Sequence, residues 1–237
     1  FINPPTALRQ HASTLLNRGG HTPNINAADE RGGIAEAYLT VTEKTRLTGS
    51  YSRSRGRETP FSAWEIYGDV EQWLGEVEVI LRAAETEETF QEGIDAEGPV
   101  PLFVERRTIG GTAVLPLGGT WSLDVSADFQ AAQESNRRTH AFVAPVEYNG
   151  QFVTATIATS RGIAWSVNAE FTNDEYPAVA GREEGSWFWG EMSMRLGDRH
   201  QLLLGGGETR KGQVCSGGVC KLVDAFEGGR LELLTTF

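Results

Sequence analysis

Trp121-Ser-Leu-Asp-Val-Ser-Ala-Asp-Phe129 decides the fold. Trp121, Leu123, Val125, Ala127 and Phe129 take every second position, and Ser122, Asp124, Ser126 and Asp128 fill the gaps. Successive side chains of an extended chain point to opposite faces, so this stretch is a strand with one apolar and one polar face. A helix would scatter the same residues around its axis. Ile163-Ala-Trp-Ser-Val-Asn-Ala-Glu-Phe171 repeats the design, with Ile163, Trp165, Val167, Ala169 and Phe171 against Ser166, Asn168 and Glu170. Each stretch is about nine residues long, enough for a tilted strand to cross a lipid bilayer.

Looser alternation predicts further strands near 34–42, 46–55, 63–74, 77–87, 105–117, 147–160, 186–196, 201–212 and 226–237, with Ala7–Asn17 as one more candidate. No helix-period segment competes with them. The connections alternate in length. Thr42–Thr45, Leu74–Glu76, Leu117–Thr120, Ser160–Gly162 and Gly197–His200 are short. Longer ones fall near 18–33, 56–62, 88–104, 133–146, 173–185 and 213–225, rich in Gly, Pro, Asn, Asp and Glu. Tight turns at one end and large loops at the other are what a membrane barrel shows. The expected architecture is all-β: an antiparallel up-and-down transmembrane β-barrel of about 11–12 strands, or the C-terminal half of a larger one. Residues 1–237 then form a single barrel domain or barrel segment.

Composition agrees. Hydrophobic residues make up 39% of the chain, low for a soluble enzyme with a large core but apt for a barrel whose strands face water on one side. The net charge of −11 argues against nucleic acid as a partner and against a polybasic membrane anchor. No apolar run approaches the roughly 18 residues of a membrane helix, which leaves a barrel untouched. Phe1-Ile2-Asn3-Pro4-Pro5 lacks the basic start and apolar stretch of a signal peptide, so a mature product or a fragment is expected.

The polar strand faces carry Glu36, Glu65, Asp69, Glu71, Glu78, Asp124, Asp128, Glu170 and Glu191, opposed by Arg82 and Arg195. In an open lumen this lining favours cations. In a narrow one the charges pair and hold the wall together. The apolar faces, with Leu123, Val125, Ala127, Phe129, Ile163, Trp165, Val167 and Phe171, are expected to meet lipid. Trp64, Trp73, Trp121, Trp165, Trp187, Trp189, Tyr67, Phe129, Phe171 and Phe188 fall near strand ends, as interfacial girdles or core aromatics do. Gly205-Gly-Gly207 lies within a strand and marks a bend or a close contact rather than a phosphate loop. His11, His21, His140 and His200 share no metal-ligand spacing, and no serine has a nucleophile-elbow setting. No catalytic residue, cofactor or metal is therefore expected. Cys215 and Cys220, in Cys-Ser-Gly-Gly-Val-Cys, fall in the last long loop and favour a disulfide over a metal or redox site.

The chain ends Gly-Gly-Arg-Leu-Glu-Leu-Leu-Thr-Thr-Phe237, a strand that stops on an aromatic residue. This ending, through Leu231, Leu233 and Phe237, resembles the C-terminal signal by which bacterial outer-membrane barrels are recognised for assembly. Cys-Ser-Gly-Gly-Val-Cys-Lys-Leu-Val, together with Asn3–Arg18, resembles an uncharacterised family of outer-membrane barrel proteins from the Bacteroidota and relatives. The resemblance implies a place in the bacterial outer membrane, contact with outer-membrane lipid and with the barrel-assembly machinery, and a chain matching the C-terminal half of a larger barrel. It implies no known activity. Three functions stay open: a channel or transport component with an acidic lumen, a structural or scaffold barrel binding a surface or periplasmic protein partner (or the other barrel half) through its long loops, and a soluble all-β binding protein.

Overall fold

The computed structural model describes Leu15 and residues 30–56, 62–95, 98–136, 146–173, 185–197, 199–210, 212–216, 219–223 and 225–235. Its elements are strands: β1 (Glu30–Thr42), β2 (Thr45–Gly56), β3 (Ser62–Leu74), β4 (Val77–Asp95), β5 (Gly98–Gly118), β6 (Trp121–Asn136), β7 (Val146–Thr159), β8 (Ile163–Thr172), β9 (Gly185–Leu196), β10 (His200–Thr209), β11 (Gly212–Ser216), β12 (Val219–Val223) and β13 (Phe226–Thr235). β1 to β10 and then β13 form one eleven-stranded antiparallel sheet, each strand paired to its neighbour in chain order. β11 and β12 pair as a separate hairpin between β10 and β13. Among the described residues no ladder joins β1 to β13.

The short turns follow from local chemistry. Gly75, Gly118, Gly119, Gly162 and Gly197 all have positive φ, which only glycine adopts without strain, and each sits in a tight turn at the same end of the sheet. The turn after β1 contains no glycine. There the Thr42 hydroxyl accepts from the Lys44 amide at 3.1 Å and bonds the Thr45 hydroxyl at 2.9 Å.

Two expected loops are largely strand. Residues 88–104 do not form an irregular connection: β4 and β5 run on to Asp95 and from Gly98, giving strands of 19 and 21 residues. The stretch mixes Glu88, Gln91 and Glu92 with Phe90, Ile94, Val100 and Leu102 and carries Pro99 and Pro101, so no regular apolar–polar alternation marks it. Residues 213–225 hold the β11–β12 hairpin, in which Cys215 stands directly opposite Cys220 in the backbone register. Of the candidate strand Ala7–Asn17, only Leu15 is described. It has helical geometry and lies on the inner face of the sheet, outside the ladder.

Burial alternates along the strands with period two. In β2, Ser50, Ser52 and Ser54 are buried while Tyr51, Arg53 and Arg55 are exposed. In β6, Asp128, Gln130, Ala132 and Glu134 are buried while Ala127, Phe129, Ala131 and Gln133 are exposed. Directly opposed residues of an antiparallel pair share a face, so the register carries these two faces across all eleven strands. The sheet curls and hides one face within its own concavity.

Candidate functional site: a polar inner face and an apolar outer band

The hidden face is polar and the exposed face apolar, the reverse of a soluble core. Asp128 and Glu170 are 5% and 3% exposed, whereas Leu81, Ile109 and Val167 are 61%, 61% and 60% exposed. The outer apolar residues form a band beside the short turns. Val79, Leu81 and Ala83 of β4 pair with Ala113, Gly111 and Ile109 of β5, and these with Val125, Ala127 and Phe129 of β6. Leu123, Ile163, Trp165 and Phe171 share that face by register, as do Leu231 and Leu233, which are 69% and 61% exposed. Phe237 lies outside the described residues.

Beyond the band the outer face turns hydrophilic. Glu85 and Glu87 of β4 stand opposite Arg107 and Glu105 of β5, and Glu105 stands opposite Gln133 of β6. The Arg107 Nε to Glu85 Oε1 contact, at 3.0 Å, joins side chains 75% and 46% exposed, a geometry worth little stability. Aromatic pairs mark both limits of the band. Trp121 stacks on Trp165 with centroids 5.8 Å apart beside the short turns, and Phe171 meets Phe188 edge to face at 5.6 Å near the other limit. Trp187, Trp189, Tyr67 and Trp73 do not belong to these girdles, because the register puts them on the inner face with Glu170, Asn168, Ala84 and Glu78 respectively.

Glu36, Glu65, Asp69, Glu71, Glu78, Asp124, Asp128, Glu170 and Glu191 all fall on the inner face by register, as do Arg82 and Arg195. They are not one open acidic cluster. Arg82 Nε and Nη2 both reach Asp128 Oδ1 at 2.9 Å, with side chains 5% and 1% exposed. The remaining donors go to Thr112 Oγ1 at 3.0 Å and Ser126 Oγ at 2.8 Å. The pair spans an intervening strand, because Arg82, Gly110 and Asp128 stand in one cross-strand row. Only glycine permits the bridge: a Cβ on Gly110 would sit 1.9 Å from Asp128 Oδ1.

A second network lies toward the loop end. Arg106 Nη1 donates to Glu88 Oε2 at 2.8 Å, and the Tyr148 hydroxyl donates to Glu134 Oε1 at 3.1 Å. Sequence reasoning missed Arg106, Glu88, Glu134 and Tyr148 as a group, because Glu88 and Glu134 stood in segments read as loops. Between the networks, Gln130 Nε2 donates to Thr108 Oγ1 at 2.9 Å and to the Leu15 carbonyl at 3.0 Å. Leu15 is 3% exposed and its methyls face Gly150, where a Cβ would stand 3.5 Å from Leu15 Cδ2. Leu15 thus touches the inner wall. Nearer the short turns, Glu71 accepts from Arg46 at 3.1 Å and from Trp73 Nε1 at 3.2 Å.

Among the described residues no group of His, Cys, Asp and Glu could hold a metal ion. Among the described residues no helix is long and apolar enough to cross a membrane, which leaves strand-crossing proteins untouched. No protein-family model matches the chain, and no curated protein matches it.

Proposed function

We propose that the chain is a bacterial outer-membrane β-barrel protein, serving as a channel or transport component with an acidic lumen. The observation that carries this reading is the inverted burial: large aliphatic side chains are exposed in a band bounded by aromatic pairs, while carboxylates and guanidiniums are hidden. In water such a band is an aggregation hazard. In a bilayer it is the lipid-facing belt of a barrel. The buried Ser50, Ser52, Thr86 and Thr154 hydroxyls have no protein partner, which suits a hydrated interior. Folded membrane barrels resist detergent until boiled, so boiled and unboiled samples should migrate differently on a gel. Identical migration would favour a soluble all-β binding protein.

A structural or scaffold barrel is the second reading, favoured by the Arg82–Asp128 and Arg106–Glu88 pairs and by Leu15 against the inner wall. Such contacts fill a lumen instead of opening it. Planar-bilayer conductance separates the two. A channel with this lining should give discrete cation-selective steps, and a silent bilayer containing folded protein would favour the scaffold and a protein partner for its loops. The resemblance to the Bacteroidota barrel family belongs to the same proposal.

A further inference from the structure

Past the apolar band, at the long-loop end, the outer face is divided by charge. On β1 and β2 it carries arginines. Arg31 stands directly opposite Arg55, and Arg53, opposite Gly33, lies diagonal to Arg31. All three are exposed. Among the described residues no hydrogen bond or ion pair engages the side chain of Arg31 or Arg53. Trp64 faces Arg53 across the β2–β3 ladder and marks the boundary. Beyond it the same cross-strand row continues through Glu87, Glu105, Gln133 and Glu147 on β4 to β7.

Like charges directly opposed on one face of an antiparallel pair repel. An anion between them removes that cost. Opposed Cβ atoms stand about 4.5–5.5 Å apart and diagonal ones about 7–8 Å, so three guanidiniums on long stems can converge on one phosphate, for which their paired N–H donors are suited. A Cβ on Gly33 would meet nothing within 4 Å, so the space between Arg31 and Arg53 is open. Depth names the source of the phosphate. Tyr51 and Ile66, opposed in the next row toward the short turns, are 45% and 52% exposed and end the apolar band here. Arg53 lies two residues further, about 7 Å along the strand, where hydrocarbon gives way to lipid headgroups. Tyr51 and Trp64 are residue types that settle at that boundary. The carboxylates of β4 to β7 repel an anion, which confines it to the β1–β3 side.

We infer that Arg31, Arg53 and Arg55 form a docking site for the phosphate of an anionic lipid, whose chains lie along the apolar band below Tyr51 and Ile66. The inference rests on the membrane reading and adds a partner to it. An arginine close to an anionic lipid surface contributes about fivefold to binding. Three of them together contribute about a hundredfold.

The test titrates dioleoyl phosphatidic acid into the refolded full chain in neutral detergent micelles, with native mass spectrometry as the readout. Dioleoyl phosphatidylcholine, whose choline neutralises its phosphate, and inorganic phosphate are the controls. Phosphatidic acid should bind in preference to both, and less tightly as ionic strength rises. Arg53→Gln should weaken it about fivefold, and the triple variant Arg31→Gln/Arg53→Gln/Arg55→Gln about a hundredfold. Arg107→Gln removes the same charge from the acidic side and should change binding by less than about twofold. All these side chains are exposed and point outward, so the variants should fold. Gel migration of the same samples, boiled and unboiled, separates two failures. A chain that shifts on boiling yet binds phosphatidic acid no better than phosphatidylcholine, or equally well without the three arginines, overturns the docking site and leaves the membrane reading standing. Full competition by inorganic phosphate at the lipid's concentration overturns a lipid as the source. A chain that does not shift on boiling overturns both.

Discussion

Gly110→Ala should destabilise the protein far more than its single methyl implies. The new Cβ would lie 1.9 Å from Asp128 Oδ1, 2.9 Å from Asp128 Cγ and 2.8 Å from the Ala127 carbonyl. Asp128 must move, and the 2.9 Å contacts from Arg82 Nε and Nη2 must lengthen. If the wall gives slightly, the cost is that of an overpacked core, about 1–3 kcal/mol. If the pair breaks, a buried charge loses its partner and the cost rises to about 3–5 kcal/mol. Gly49→Ala is the control. Gly49 also lies inside a strand, but an added Cβ meets nothing within 4 Å, so stability should change by no more than about 0.5 kcal/mol. Urea unfolding of the refolded protein, followed by tryptophan fluorescence, reads both midpoints. The two effects must also be non-additive: in an Asp128→Ala background, Gly110→Ala should cost little beyond its contact with the Ala127 carbonyl. Equal midpoints for Gly110→Ala and Gly49→Ala, or full additivity with Asp128→Ala, would refute the bridge across β5.

Adjacent residues on opposite faces should respond oppositely elsewhere. Val125→Arg, on the outer band, should cost about 2–4 kcal/mol in a bilayer, and Asp124→Arg next to it less than half of that; comparable unfolding midpoints would undo the assignment of faces. Arg106→Leu strands the buried Glu88 carboxylate and should cost about 3–5 kcal/mol, whereas Arg107→Leu removes only an exposed contact worth about 0–1 kcal/mol. The same urea titration measures both, and the reverse order would be inconsistent with the register. Cys215 and Cys220, directly opposed in the β11–β12 hairpin, should be joined by a disulfide, making the unreduced chain two hydrogens lighter than the reduced one by mass spectrometry. Free alkylation of both thiols without reductant would rule that out.

What the sequence discloses depends on which side of a strand meets which medium. Trp121–Phe129 and Ile163–Phe171 are legible because, inside the band, one face is apolar and the other polar. Past the band apolar residues no longer keep to one parity, and the signal vanishes. Residues 88–95, Glu-Thr-Phe-Gln-Glu-Gly-Ile-Asp, therefore read as the start of a loop although β4 continues through them. Ser186-Trp187-Phe188-Trp189 defeats parity differently, with three aromatics in a row. The register puts Phe188 outside and both tryptophans inside. Gly110 carries no signal of its own, since its role appears only when β4, β5 and β6 are set in a row. Leu15 is beyond sequence reasoning for a similar reason, because a contact with Gln130 spans 115 positions of chain. The acidic residues of the inner face and Arg82 could be named from alternation, but that Arg82 bridges to Asp128 across β5 required the register.

The two edges of the sheet bear directly on the choice between channel and scaffold. β1 pairs only with β2, and β13 only with β10, among the described residues. The consequence is visible in burial. Ser52 is 1% exposed, yet Ile34, its partner on the same inner face, is 45% exposed, and Tyr38, opposite Thr48, is 63% exposed. Among the described residues β1 is therefore a wall strand with no neighbour on its far side. An exposed edge is tolerable in water when short or charged, but Leu39 and Val41 on its outer face are 59% and 54% exposed. In hydrocarbon each unpaired backbone group costs several kcal/mol, so a lipid-facing β1 needs a ladder partner. Pairing with β13 would close a narrow ring around the Arg82 and Arg106 networks, which fits a filled barrel. Pairing each edge with further strands would widen the ring and move those networks from its axis to its wall, which fits a conducting one. Whether this protein is a channel thus turns on what stands beside β1.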